Sequence, residues 1–128
     1  MELKEKLVSF KVAKLAKEKG FDEISTDYRY TNEELVKDFL YISIKNSIHA
    51  PTQALLQRWL REVHNLHCFI GVRPNVKKFD SHAYNLDLTP KEYIKRRTLT
   101  VFMEEELFDT YEQALESGLE EALNSIKQ

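Results

Sequence analysis

Between Pro51 and Arg73 the apolar pattern changes period across a single residue, Asn65. Before it, Leu55, Leu56, Trp59, Leu60 and Val63 recur at helical spacing, with Gln57, Arg58, Arg61 and Glu62 lying largely off that stripe. After it, Leu66, Cys68, Ile70 and Val72 alternate with His67, Phe69, Gly71 and Arg73, as in a strand with one packed face. This predicts a helix over 51–64 that passes directly into a strand over 66–73. Pro51 suits the first helical turn and Asn65 suits the stop. Pro74 and Asn75 then start a turn. Alternation resumes over 82–88, where Tyr84, Leu86 and Leu88 are expected inward and Ala83, Asn85 and Asp87 outward.

Thr89-Pro90-Lys91-Glu92 has the form of a helix start, with Thr as cap and Pro in the first position. A short helix to about Arg97 would lead to a strand over 98–103 with Leu99, Val101 and Met103 inward. The rival reading is one longer strand over 91–103. At the other end of the core, Thr110 and Gln113 form a capping box for a helix. Tyr111, Ala114, Leu115, Leu119, Ala122, Leu123 and Ile126 trace its apolar face, and Glu112, Glu116 and Glu120 its opposite face. Gly118 within it costs about 1 kcal/mol relative to Ala and suits close approach to a sheet or another helix.

The N-terminal part is less regular. A helix is expected over 3–19, carrying Leu3, Leu7 and Phe10 on one stripe and Val8, Val12 and Leu15 on another, with Gly20 as its C-terminal cap. Two apolar stripes ask for cover on two sides, or for packing on a partner chain. Residues 21–50 read as a connecting region. Within it Thr31 and Glu34 have the spacing of a capping box before a short helix, and Tyr41, Ile42 and Ile44 that of a strand. The expected architecture is α+β: a small antiparallel sheet of about three strands, packed on one face by helices. It would form a single domain, with a helical arm and connection over 1–50 and the core over 51–128.

Charge is unevenly spread. The 128 residues carry 19 Lys and Arg against 21 Asp and Glu, a net charge of −2. Residues 57–97 contribute +5 of that and residues 98–128 contribute −7. A basic middle and an acidic end fit opposite blocks solvating separate faces, or a charged partner. With 3 Gly and 3 Pro the chain has neither a Gly-rich phosphate loop nor a low-complexity composition. No apolar run reaches the roughly 20 residues of a membrane span, and MELKEKLVSF lacks the apolar core of a signal peptide. The single Cys excludes an internal disulfide and favours a reducing, cytoplasmic setting.

Few residues have the pattern that chemistry requires. Cys68 is the sole thiol, but alternation places it on the packed face, where a thiol is inert. His64, His67 and Cys68 imitate a metal site, yet His67 and Cys68 point to opposite faces and no second pair stands at zinc spacing. Glu104-Glu105-Glu106 with Asp109 lacks the alternating ligands and Gly turn of a calcium loop. His82 with Asp80 or Asp87 would make an acid–base pair, without a nucleophile or second carboxylate to complete a mechanism. No metal or cofactor is therefore expected. The outward sheet face would hold His67, Phe69, Arg73, Asn85, Thr98, Thr100 and Phe102. Rings among basic groups are what a single-strand nucleic-acid platform uses, whereas cover by helix 3–19 or by a second subunit is the competing reading.

The helix–strand–strand–strand–helix order is similar in topology to the double-stranded-RNA-binding domain. That family's resemblance implies a lysine-rich start to the last helix. Here the matching stretch, Asp109-Thr110-Tyr111-Glu112-Gln113, is acidic and would repel phosphate. A closer likeness lies in APTQALLQRWLREVHNLH (Ala50–His67), FDTYEQALESGLEEAL (Phe108–Leu123) and AKLAKEKGFDE (Ala13–Glu23). These resemble a group of small uncharacterised proteins of bacterial genomes and prophages, which implies a phage or mobile-element context and supplies no activity.

The functional expectation is a non-enzymatic accessory or protein-interaction protein, with a homodimer or another protein as its partner and no membrane. Its candidate surface is His67, Phe69, Arg73, Lys77, Lys78, Arg96, Arg97 and Phe102. The alternative is a nucleic-acid-binding module that uses the same face and the basic middle segment.

Overall fold

The computed structural model describes residues 6–22, 28–31, 33–37, 47–85, 87, 91 and 106–126. The elements in chain order are α1 (Phe10–Glu18), β1 (Tyr28–Thr31), β2 (Glu34–Lys37), β3 (Ser47–His49), α2 (Gln53–His64), β4 (Leu66–Arg73), β5 (Lys78–Asn85) and α3 (Tyr111–Asn124). The fold is α+β, with two small antiparallel sheets ordered β2-β1-β3 and β4-β5.

Helix α1 starts later than its apolar residues suggest. Ser9 is its N-cap, accepting from the Val12 amide through Oγ. Leu7 and Val8 precede it in an extended segment: Leu7 bridges Thr52, and the Val8 amide donates to the Pro51 carbonyl at 3.0 Å. The second apolar stripe thus belongs partly to this segment, which explains why Val8 is fully buried. The helix closes as expected at Gly20, which takes a φ of 100°. The Phe21 amide reaches the Ala16 carbonyl and the Gly20 amide the Lys17 carbonyl, the paired bonds of a Schellman cap, and buried Phe21 seals it.

The expected connecting region contains a sheet. Thr31 and Glu34 do not cap a helix; they face each other at the tip of the β1–β2 hairpin, with Glu33 at a φ of 71°. A hairpin needs positive φ in its two-residue loop, and the Thr-x-x-Glu spacing happens to coincide with a capping box. The possible strand around Tyr41, Ile42 and Ile44 lies outside the described residues.

Helix α2 has Thr52 as its N-cap, with Oγ1 accepting from the Leu55 amide, so Pro51 stands just before the cap and not in the first turn. Asn65 ends the helix in the left-handed region at φ 55°. Leu56, Trp59 and Leu60 are buried as expected. Val63 is in line with them yet 60% exposed, so the last turn of α2 projects past the core.

Strand β5 begins at Lys78, four residues before the expected start, and its faces are reversed. Cys68 pairs with Ala83 and Ile70 with Ser81, so Ala83 shares the packed face. Tyr84, expected inward, lies opposite His67 on the outer face, and Asn85 opposite Leu66 lies on the inner one. The cause is the closeness of α3. A Cβ placed on Gly118 would stand 3.5 Å from Ser81 Cβ and 3.7 Å from Cys68 Cβ. Only small side chains fit beneath the helix there, and the large rings take the other face.

The capping box of α3 forms in both directions between Thr110 and Gln113. Leu115, Leu119, Ala122 and Leu123 then meet Leu56 and Leu60 of α2 and Val12 and Ala16 of α1 in one core. Each fully buried Leu contributes about 1.5–3 kcal/mol of transfer free energy. Tyr111, expected on the apolar face, is 46% exposed in the first turn and touches the Phe79 ring edge-on. Val8, Val12, Ala13, Ala16, Phe21, Tyr30 and Ala50, all before residue 51, belong to that core. Of the segment 88–105, Lys91 alone is described and is helical; the rest of the expected 90–97 helix and the 98–103 strand lie outside the described residues.

Candidate functional site

Helix α1 does not cover the outer sheet face. It packs along α3 and on β3, held by Lys11 to Glu120 at 2.7 Å and by Lys19 Nζ donating to the Ile126 carbonyl at 3.0 Å. Glu116, expected as a solvent-facing acid, joins α3 to the starts of α1 and α2. Its Oε2 accepts from the Ser9 amide at 2.8 Å and its Oε1 from Gln53 Nε2 at 3.0 Å. Gln53 also donates to the Glu112 carbonyl and is itself buried. These bonds leave α1 fixed and the outer face of β4–β5 uncovered by it.

That face carries His67, Phe69, Gly71 and Arg73 from β4, opposite Tyr84, His82, Asp80 and Lys78 from β5. Phe69 is 50% exposed. Its ring lies 5.8 Å from that of Tyr84, which stacks at 14° on His82 with centroids 5.9 Å apart. Below the rings, Gly71 leaves room for the Asp80 carboxylate, which lies where a residue-71 side chain would stand. Arg73 Nε donates to Asp80 Oδ2 at 2.8 Å, and His82 Nε2 stands 3.6 Å from Oδ1. A buried carboxylate requires such partners.

The structure thus brings together His67, Phe69 and Arg73 of the expected surface, with Lys77 and Lys78 at the hairpin end. Lys77 takes a φ of 57° in the turn, and Lys78 Nζ is bound to Asp109. Arg96, Arg97 and Phe102 lie outside the described residues, as do Thr98 and Thr100. Sequence reasoning missed Tyr84 and His82 as members of this face. The Phe69-to-His82 register would have shown it, but depends on where β5 begins.

The other candidates separate. Burial, and then the nearby Glu121 carboxylate, pushes the Cys68 thiol up to about 12, so it is a poor nucleophile. His64 packs edge-on against Trp59, and His67 Nε2 pairs with Asn65 Oδ1. Asp109 is engaged by Lys78 and Glu106 is exposed; Glu104 and Glu105 lie outside the described residues. Among the described residues no group of three or more His, Cys, Asp or Glu side chains is placed to hold a metal ion, and no described helix is long and apolar enough to cross a membrane. His82 Nε2 stands 3.6 Å from Asp80 Oδ1, beyond hydrogen-bond length, while Arg73 holds the carboxylate.

The backbone adds a second feature. Phe79 exchanges both its hydrogen bonds with Phe108, so its polar groups point away from β4. In an antiparallel ladder these directions alternate by residue. Val72, Ile70, Cys68 and Leu66, opposite Phe79, Ser81, Ala83 and Asn85, must then aim their N–H and C=O groups away from β5. Gln57 Nε2 meets the Cys68 carbonyl on that side at 3.4 Å. Val72 is 62% exposed. Among the described residues, strand β4 therefore has a second edge, which no described strand pairs and which Gln57 meets.

Comparison of the chain with protein-family models, with curated proteins and with solved structures finds no match.

Proposed function

We propose that this chain is a non-enzymatic interaction module whose contact surface is the outer face and edge of β4. The carrying observation is Phe69, half exposed at the centre of a strand with the Tyr84 ring beside it. A large ring left in solvent beside a strand edge fits a partner surface better than a catalytic pocket. The raised thiol pKa of Cys68, the sole thiol of the chain, supports a binding role. An accessory role suits a small protein whose motifs resemble those carried by prophages.

Phe69→Ser tests this reading with two readouts. Unfolding free energy should stay within about 1 kcal/mol of the parent, the range of one cross-strand pair, while association is lost. A destabilisation of 2 kcal/mol or more would make Phe69 a core residue and end the proposal.

Nucleic-acid binding is the second reading, favoured by the succession of rings Phe69, Tyr84 and His82. Against it, Arg73 and Lys78 already meet Asp80 and Asp109. Fluorescence anisotropy with a labelled single strand at low salt decides it: binding that weakens steeply with salt supports this reading, and no binding at low salt removes it.

A further inference from the structure

We infer that the occupant of the β4 edge is a second copy of this chain, paired antiparallel about a two-fold axis at Phe69. The inference rests on the interaction reading above and names its partner. From Leu66 to Val72 the edge carries no Lys, Arg, Asp, Glu or Pro. Soluble proteins usually guard an open strand edge with such residues, because unpaired N–H and C=O groups recruit another strand. Among the described residues, β5 pairs with one side of β4, and Gln57 is what meets the other.

The edge is also self-complementary. Its outward groups fall on Leu66, Cys68, Ile70 and Val72, evenly placed about Phe69. Antiparallel pairing centred there sets Cys68 against Ile70 of the second copy and Leu66 against its Val72. Each pair can exchange two backbone bonds. The Cys68 carbonyl can accept from the second strand as well as from Gln57, having two lone pairs. On the outer face Phe69 meets Phe69 of the second copy in a non-hydrogen-bonded pair, where side chains approach most closely. His67 meets Gly71, the position over which the Asp80 carboxylate lies, so an imidazole faces an acid. Arg73 of each copy is carried to opposite ends, keeping like charges apart.

Such a dimer is closed. On the far side of β5, Phe79 is already bonded to Phe108, so among the described residues this sheet offers the β4 edge, and a two-fold pair uses it in both copies. Two short strand edges and two rings bury less than the roughly 1,000 Å² of a stable interface, so association should be weak and concentration-dependent.

Sedimentation equilibrium of the full chain from about 10 µM to 1 mM tests this, with Ile70→Pro and Val72→Lys as comparisons. The Ile70 amide points away from β5, so its loss costs no bond within β4–β5; Val72→Lys places a charge on the edge and keeps every amide. The expected result is a mass rising from 15.1 kDa toward twice that for the parent, and a constant monomer mass for both variants with unchanged circular dichroism. A parent that stays monomeric, or a folded Val72→Lys variant that dimerises like the parent, overturns the inference. If the parent is monomeric while Phe69→Ser leaves stability unchanged, self-association alone has failed; a destabilised Phe69→Ser removes the interaction reading with it.

Discussion

Gly71 and Asp80 face each other across the β4–β5 hairpin, and the Asp80 carboxylate fills the space a residue-71 side chain would need. The glycine is there for a side chain on the neighbouring strand, not for a turn. Its absent Cβ lets a 94% buried acid lie flat on the sheet, within reach of Arg73 and His82.

Replacing Gly71 tests that arrangement. Gly71→Ala drives its methyl into Asp80 Oδ1, and should cost about 1–3 kcal/mol by overpacking, although Ala is ordinarily no worse than Gly in a strand. In an Asp80→Ala background the same change should cost little. Urea unfolding of the four proteins in this double-mutant cycle measures the coupling.

Gly118 makes the opposite case. Its added Cβ would meet Ser81 Cβ at 3.5 Å and Cys68 Cβ at 3.7 Å, ordinary contact distances. Gly118→Ala should therefore gain up to about 1 kcal/mol from helix propensity, read as a higher unfolding midpoint. A loss would show that α3 lies closer to the sheet than these distances allow.

Alkaline pH should destabilise the protein. Burial, and then Glu121, holds the folded Cys68 thiol up at about 12 against 9.0 for the free group. Burial, and then the Glu116 carboxylate, also raises the Tyr30 hydroxyl above 10.0, and that hydroxyl donates to the Val8 carbonyl at 2.7 Å. In both cases the unfolded chain ionises first, so the stability is fully present below the unfolded pKa and is lost as pH rises through the folded one. For Cys68 that window runs from about 9 to about 12. Denaturation midpoints from pH 8 upward should fall, and Cys68→Ala should flatten the fall. Native Cys68 should also resist iodoacetamide at pH 8 until the protein unfolds.

Glu116 joins α3 to the starts of α1 and α2. Glu116→Ala removes acceptors for the Ser9 amide and for Gln53 and should cost about 1–3 kcal/mol. Glu116→Gln keeps one oxygen and should fall between. Because Glu116 also raises the Tyr30 pKa, either change should lower it without abolishing the part due to burial. Ultraviolet titration of the tyrosinate band reads this directly.

What the sequence made legible was local. The Thr110–Gln113 box, the Gly20 cap and the Asn65 stop are set by residues within a turn of one another, and each stands in the structure. Glu116 was placed rightly off the apolar stripe, but its role depends on Ser9 and Gln53, which are distant along the chain. Tyr84 does not take the packed face that its alternation with Leu86 and Leu88 predicts. Tyr84 is larger than Ala83, yet the helix at Gly118 leaves room beneath it only for Ala83 and Ser81. The candidate site shared that fate: Phe69 and Arg73 were found from β4 alone, while His82 and Tyr84 needed the register. Strands β1 to β3 are three or four residues each, too short for a period to show.

The central claim is that the outer face of β4 is a contact surface and not part of the core. Chemical denaturation of Phe69→Ser beside Leu119→Ser tests it most directly, since Leu119 is fully buried and Phe69 half exposed. The account expects Leu119→Ser to lose at least about 3 kcal/mol and Phe69→Ser less than about 1 kcal/mol. Comparable losses at the two positions would contradict it.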